Sequence, residues 1–142
     1  MAAPCRIVLA DDHVMFPQSL KRMLEEKDDL RVVGEAGDGL GLLDLLSELN
    51  LNGMLPHLVI LDIVMPNLTG IEAAHRIKTS YSGVKVMMLT MHKNEGYRNW
   101  AISAGVEGYL LKQNANEELS VALDTIRQGG KYFSSYIDRM WQ

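Results

Sequence analysis

The stretch Leu58-Val59-Ile60-Leu61-Asp62-Ile63-Val64-Met65-Pro66 constrains the fold more than any other part of the chain. Four apolar residues in a row, with Pro56 before them and Pro66 after, predict a short strand buried on both faces. Asp62 falls where that strand ends, so its carboxylate emerges at the carboxyl edge of a sheet. An ionised Asp beside such an apolar run is costly unless something pairs with it. The strand therefore demands both a sheet around it and partners for its last side chain.

The rest of the chain alternates in the same way. Arg6–Ala10 reads as a strand and runs directly into Asp11-Asp12-His13. From Val14 to Glu26, Met15, Leu20, Met23 and Leu24 fit a helical stripe, with Pro17 tolerated in the first turn. Leu30–Ala36 is a second strand. Asp38, in the turn Gly37-Asp38-Gly39, is placed to cap a leucine-rich second helix. After the central strand, Asn67–Gly70 leads into a helix over 71–79, and Val84–Thr90 is a fourth strand. A more polar helix over 94–104 closes at Gly105 as its C′ residue. Gly108–Leu111 is a short fifth strand ending at Lys112, and Asn114 or Asn116 caps a last helix that stops at Gly129-Gly130.

Five strands alternating with five helices predict a doubly wound α/β domain with a parallel sheet. Right-handed crossovers favour the flavodoxin-like order 2-1-3-4-5. Strands one and three are then neighbours at the topological switch point, where ligands bind. Asp11, Asp12 and Asp62 all reach that point, and Thr90 and Lys112 end strands four and five on the same rim. A length of 142 residues suits one such domain over 1–130, with 131–142 as linker or the start of an interdomain helix.

Composition narrows the partners. A net charge of −4 without any Lys/Arg run gives no electrostatic footprint for nucleic acid. No apolar run approaches the roughly 20 residues that span a bilayer, and the first residues lack the pattern of a signal peptide. The single Cys5 is expected to be a small buried strand residue. These features point to the cytoplasm.

Three carboxylates from two adjacent strand ends repel one another by about 4 kcal/mol per close pair at an effective dielectric near 20. A proton or a cation must relieve this. Oxygen-only ligands suit a hydrated Mg²⁺ better than Zn²⁺, with the backbone carbonyl of Val64 completing the set. Carboxylate, cation, hydroxyl and ammonium on one rim would hold a phosphoryl group on Asp62, with Thr90 and Lys112 contacting its oxygens. Asp12 is then a direct metal ligand, and Asp11 holds a metal-bound water.

At these residues the chain resembles the receiver (response-regulator) domains of two-component signalling. The resemblance is carried by Asp11-Asp12-His13, by Leu61–Pro66 with Gly70, by Met88-Leu89-Thr90 and by Gly105–Lys112. It implies that Asp62 is the phosphoacceptor, served by a phosphohistidine on a sensor histidine kinase and by Mg²⁺. It also implies that Thr90 and Tyr109 couple phosphorylation to the face of the fourth helix, with Tyr109 rotating inward. Asp11-Asp12-His13, Gly108–Lys112 and Gly129–Ser134 look most like the LuxR/NarL-type regulators of transcription. Such proteins imply a helix-turn-helix output domain outside this chain as the DNA-binding part, and leave open a homodimer formed on phosphorylation. Gln113, Asn116 and Met91 depart from the family's usual pattern without removing a phosphorylation residue.

Enzyme readings fit less well. A haloacid-dehalogenase-type phosphatase needs a second Asp two residues after the first, where Val64 stands. A dinucleotide-binding oxidoreductase needs G-x-G-x-x-G after the first strand, where Asp11-Asp12 would repel a pyrophosphate. The chain is therefore not expected to be an enzyme beyond chemistry on its own Asp62. A receiver-like module that is never phosphorylated is opposed by the complete set Asp11, Asp12, Asp62, Thr90 and Lys112.

Overall fold

The computed structural model describes residues 4–12, 15–91 and 95–134. His13, His92 and the segment 135–142 lie outside them. Strand β1 (Cys5–Ala10) leads to helix α1 (Met15–Glu25), then β2 (Leu30–Ala36), α2 (Gly39–Leu51) and β3 (Leu58–Asp62). Helix α3 (Gly70–Ser80), β4 (Lys85–Thr90), α4 (Glu95–Ala104) and β5 (Gly108–Leu111) follow. A 3₁₀ turn over Lys112–Asn114 enters α5 (Ala115–Arg127), and β6 (Tyr132–Phe133) comes after it.

The sheet is parallel with order β2-β1-β3-β4-β5-β6. The expected order of five strands holds within it, but the count is corrected to six. β6 spans only two residues, too short to carry a hydrophobic period, so nothing in the pattern of the chain announces it. It is placed by Tyr132 N–H donating to the Glu107 carbonyl and Ser134 N–H donating to the Tyr109 carbonyl, both at 2.9 Å.

The inner strands β1, β3, β4 and β5 bury both faces, as expected inside an all-parallel sheet. On one face Val8, Val59, Leu61, Val86 and Tyr109 pack with Leu42 and Leu46 of α2, Ala73 and Ile77 of α3, and Ala101 of α4. On the other, Ile7, Ile60, Met87 and Leu110 pack with Leu20 and Leu24 of α1 and Leu119 and Leu123 of α5. Cys5 is buried as expected, and burial pushes its thiol pKa up, which keeps it an inert packing residue.

Local chemistry sets the helix starts. Asp38 caps α2 by accepting from Gly41 N–H at 2.6 Å, and Thr69 caps α3 by accepting from Glu72 N–H at 3.3 Å. Asn114 stands at the start of α5 without a side-chain cap bond; the preceding 3₁₀ turn enters the helix instead. Gly105, at φ +82°, closes α4 as the sequence predicts.

The amino rim of the sheet is tied by polar groups. Buried Glu107 accepts from Val86 N–H at 2.7 Å and from Lys78 Nζ at 2.5 Å. His57 Nδ1 accepts from Arg6 N–H at 2.8 Å, which requires an unprotonated Nδ1. Desolvation first, and then the charges of Arg6 and Arg127, lower the pKa of His57. A depressed folded-state pKa contributes stability present above the unfolded value of about 6.5 and lost as pH falls through the folded value. Melting temperatures from pH 7.5 down to 5 should therefore fall more steeply for the wild type than for His57→Gln. Parallel curves would refute this role.

Candidate functional site

Strand register brings the predicted residues together. Ala10 pairs with Leu61, so the next residues, Asp11 and Asp62, leave the β1 and β3 ends side by side. Asp62 pairs with Leu89, and Thr90 with Leu111, so Thr90 and Lys112 follow on the same rim. Asp11, Asp12 and Asp62 each place a carboxylate oxygen within 4.8 Å of the others. Asp11 and Asp62 are buried and Asp12 is exposed, which leaves the cluster open to solvent on one side.

Lys112 Nζ lies 2.5 Å from Asp11 Oδ2 and 2.9 Å from Asp62 Oδ2. One ammonium thus bridges the ends of β1 and β3 and offsets the repulsion that three clustered acids create. The other oxygen of Asp62, Oδ1, accepts from Val64 N–H at 3.2 Å. Val64 itself is 44 % exposed, so its side chain borders the cluster instead of covering it. Thr90 is fully buried at its strand end.

The donor set suits a hard divalent cation. All three side chains are carboxylates, and no thiolate or imidazole joins them among the described residues. The buried ammonium already in contact with two of them marks the place as one that needs positive charge.

Tyr109 is fully buried against the α2–α4 face, and its hydroxyl has no hydrogen-bond partner among the described residues. Burial raises its pKa well above the usual phenol range; Tyr97 adds to this and Arg98 opposes it. The ring stands inward in this structure.

Two features escaped sequence reasoning. Lys112 was expected to meet phosphoryl oxygens, and its resting role as counter-ion to Asp11 and Asp62 emerges only from the register. Gly70 figured only as a motif residue, yet its amide donates to the Ile63 carbonyl at 2.7 Å, and a Cβ there would lie 1.9 Å from the Asp62 carbonyl oxygen. That contact packs the start of α3 against the backbone of Asp62 itself. A glycine opening a helix beside the Asp62 loop was the available signal.

Residues 7–124 match the response regulator receiver domain family. The chain is a response-regulator receiver domain. Among curated proteins this receiver is 34% identical over 127 residues to the transcriptional regulatory protein DegU of Brevibacillus brevis, covering 89% of this chain and 52% of DegU. It is 36% identical over 128 residues to the transcriptional regulatory protein DesR of Bacillus subtilis, covering 90% of this chain and 61% of DesR. The receiver thus spans between half and about three fifths of the length of these transcriptional regulators. Among solved structures, a LuxR-family response regulator from Aurantimonas sp. SI85-9A1 superposes with a TM-score of 0.86 at 29% identity, covering 96% of this chain and 94% of that one. The isolated receiver domain of RcsB from Salmonella enterica serovar Typhimurium, determined with the phosphomimetic BeF₃⁻, gives 0.85 at 28% identity, covering 96% and 97%. The receiver is accordingly related to the receivers of the LuxR/NarL group. No helix among the described residues is long and apolar enough to cross a membrane.

Proposed function

We propose that this receiver takes a phosphoryl group from a phosphohistidine of a sensor histidine kinase onto Asp62, in the cytoplasm, and so controls transcription through a DNA-binding region of the whole protein. The observation that carries the reading is the bridge from Lys112 to Asp11 and Asp62 within the three-carboxylate cluster. In the transfer, an Asp62 oxygen forms a P–O bond as the donor's P–N bond breaks, and the electron pair of that bond returns to the imidazole. Lys112 turns from the carboxylates to the added phosphoryl oxygens, and Thr90 donates its hydroxyl to another. Val64 N–H holds Asp62 Oδ1 and Lys112 holds Oδ2, so Oδ2 becomes the attacking atom as the ammonium turns away. Asp11, Asp12, Asp62 and the Val64 carbonyl are the proposed holders of Mg²⁺, which supplies charge neutralisation at the phosphoryl oxygens when bound. The new charge biases Thr90 toward the phosphoryl and Tyr109 toward its inward position, which is the bistable element of the switch. A homodimer formed on phosphorylation belongs to the same reading.

Incubation with acetyl phosphate and Mg²⁺, followed by intact-mass measurement, tests this. The wild type should gain one labile phosphoryl group and Asp62→Asn none. Steady donor turnover without a phosphorylated protein would instead indicate a phosphatase, and an unchanged mass would indicate a module that is not phosphorylated.

A further inference from the structure

β6 is too short to be stable on backbone pairing alone. Its side chains hold it on both faces of the sheet. Toward α4, the Phe133 ring lies parallel to Tyr109, with ring centres 6.2 Å apart and planes 2° from parallel, within the range of offset stacking. The Arg98 guanidinium carbon of α4 sits 5.7 Å from the centre of the Phe133 ring. Toward α5, the buried Glu118 carboxylate accepts from Tyr132 Oη at 2.5 Å and from Ser134 Oγ at 2.6 Å.

These contacts differ in what they can sense. The Glu118 clamp ties α5 to Tyr132 and Ser134. The Phe133 stack touches Tyr109, whose inward position buries a hydroxyl without a partner among the described residues and is unfavourable on that count. Stacking on Phe133 helps to offset this. Coupling of that kind is reciprocal: whatever favours the inward ring also favours the paired β6.

We infer that β6 is a latch that reads the Tyr109 ring, Phe133 being its sensing residue and Glu118 its clamp, so that an inward Tyr109 holds the chain at Ser134 against the sheet edge. The inference rests on the proposed role of Tyr109 as switch residue. Phosphorylation then acts by raising the population of the latched state, which is also accessible without it. The consequence is mechanical: whether Tyr132 to Ser134 stay paired to the β5 edge depends on the occupancy of a site three strands away.

Backbone amide hydrogen exchange at Tyr132 and Ser134 reads the latch, with the Gly130 amide, bonded to the Thr125 carbonyl, as a control at the end of α5. Without any phosphoryl analogue, Tyr109→Ala should speed exchange at Tyr132 and Ser134 by about tenfold or more while Gly130 stays unchanged. Phe133→Leu, which leaves Tyr109 and the core in place, should do the same. Unchanged protection in Phe133→Leu overturns the latch, even where Tyr109→Ala disturbs the whole fold. Beryllofluoride with Mg²⁺ should slow exchange at the two amides in the wild type and have no such effect in Phe133→Leu. Fluorine NMR tells whether the analogue is bound. Bound analogue with unaltered wild-type protection overturns the latch as a reader of the switch. Failure of the analogue to bind counts against the reading of Asp62, and the Phe133→Leu result then decides the latch on its own.

Discussion

In EDTA, Lys112→Met should be less stable than the wild type by about 3 kcal/mol, and millimolar Mg²⁺ should recover most of the loss. The ammonium contacts Asp11 at 2.5 Å and Asp62 at 2.9 Å, and all three side chains are buried. Removing one partner of a buried ion pair typically costs about 3–5 kcal/mol, because the opposite charge is left behind. Here two carboxylates are left, but Asp12 and the open side of the cluster admit water, which argues for the lower end. For a domain of this size the loss corresponds to roughly 10 °C in melting temperature. A cation that binds only the folded site stabilises by mass action, so Mg²⁺ should raise the melting temperature of the variant more than that of the wild type. The same variant should lose about 10²-fold in the rate of phosphoryl gain from acetyl phosphate, since the transferred group loses a charged contact. Wild-type melting of Lys112→Met in EDTA would show that the ammonium is not the balancing charge.

Gly70→Ala should cost about 3 kcal/mol and also impair Asp62. The added Cβ would meet the Asp62 carbonyl oxygen at 1.9 Å and the Ile63 Cα at 2.8 Å, both backbone atoms that cannot swing aside. Relief requires α3 to move away from the β3 end, which breaks the 2.7 Å bond from Gly70 N–H to Ile63 and strains a packed core. Displacing the backbone of Asp62 by even about 1 Å is enough to slow transfer roughly 10²-fold. Gly37→Ala is the matched control, because nothing lies within 4 Å of a Cβ there. Denaturant melts should separate the two variants clearly, and equal midpoints would refute the steric account.

Much of this was legible in the chain because the informative residues sit at strand ends. Leu58–Leu61, between two prolines, reads as a strand buried on both faces, and once it is central, a parallel order carries Asp11, Asp62, Thr90 and Lys112 to one rim. Helix caps followed from side-chain chemistry at Asp38, and the α4 stop from Gly105. What stayed hidden depends on contacts between distant residues. Tyr132 and Phe133 show no period of their own; their strand exists because the β5 edge, the Tyr109 ring and Glu118 receive them. The choice between Asn114 and Asn116 as a cap missed that a 3₁₀ turn, not a side chain, opens α5. The double pairing of Lys112 is a matter of ångströms, which spacing along the chain does not encode.

The two apolar clusters on opposite sides of the sheet carry a consequence for sequence drift. Leu20, Leu24, Leu119 and Leu123 share no packing layer with Leu46, Ile77 or Tyr109; only the strands stand between them. A substitution beneath α1 or α5 therefore reaches the tyrosine's side across the strands, or through the bonds that Glu118 of α5 accepts from Tyr132 and Ser134. Strain raised in one layer must pass through the backbone of the sheet before it meets the other, because the two layers share no direct packing.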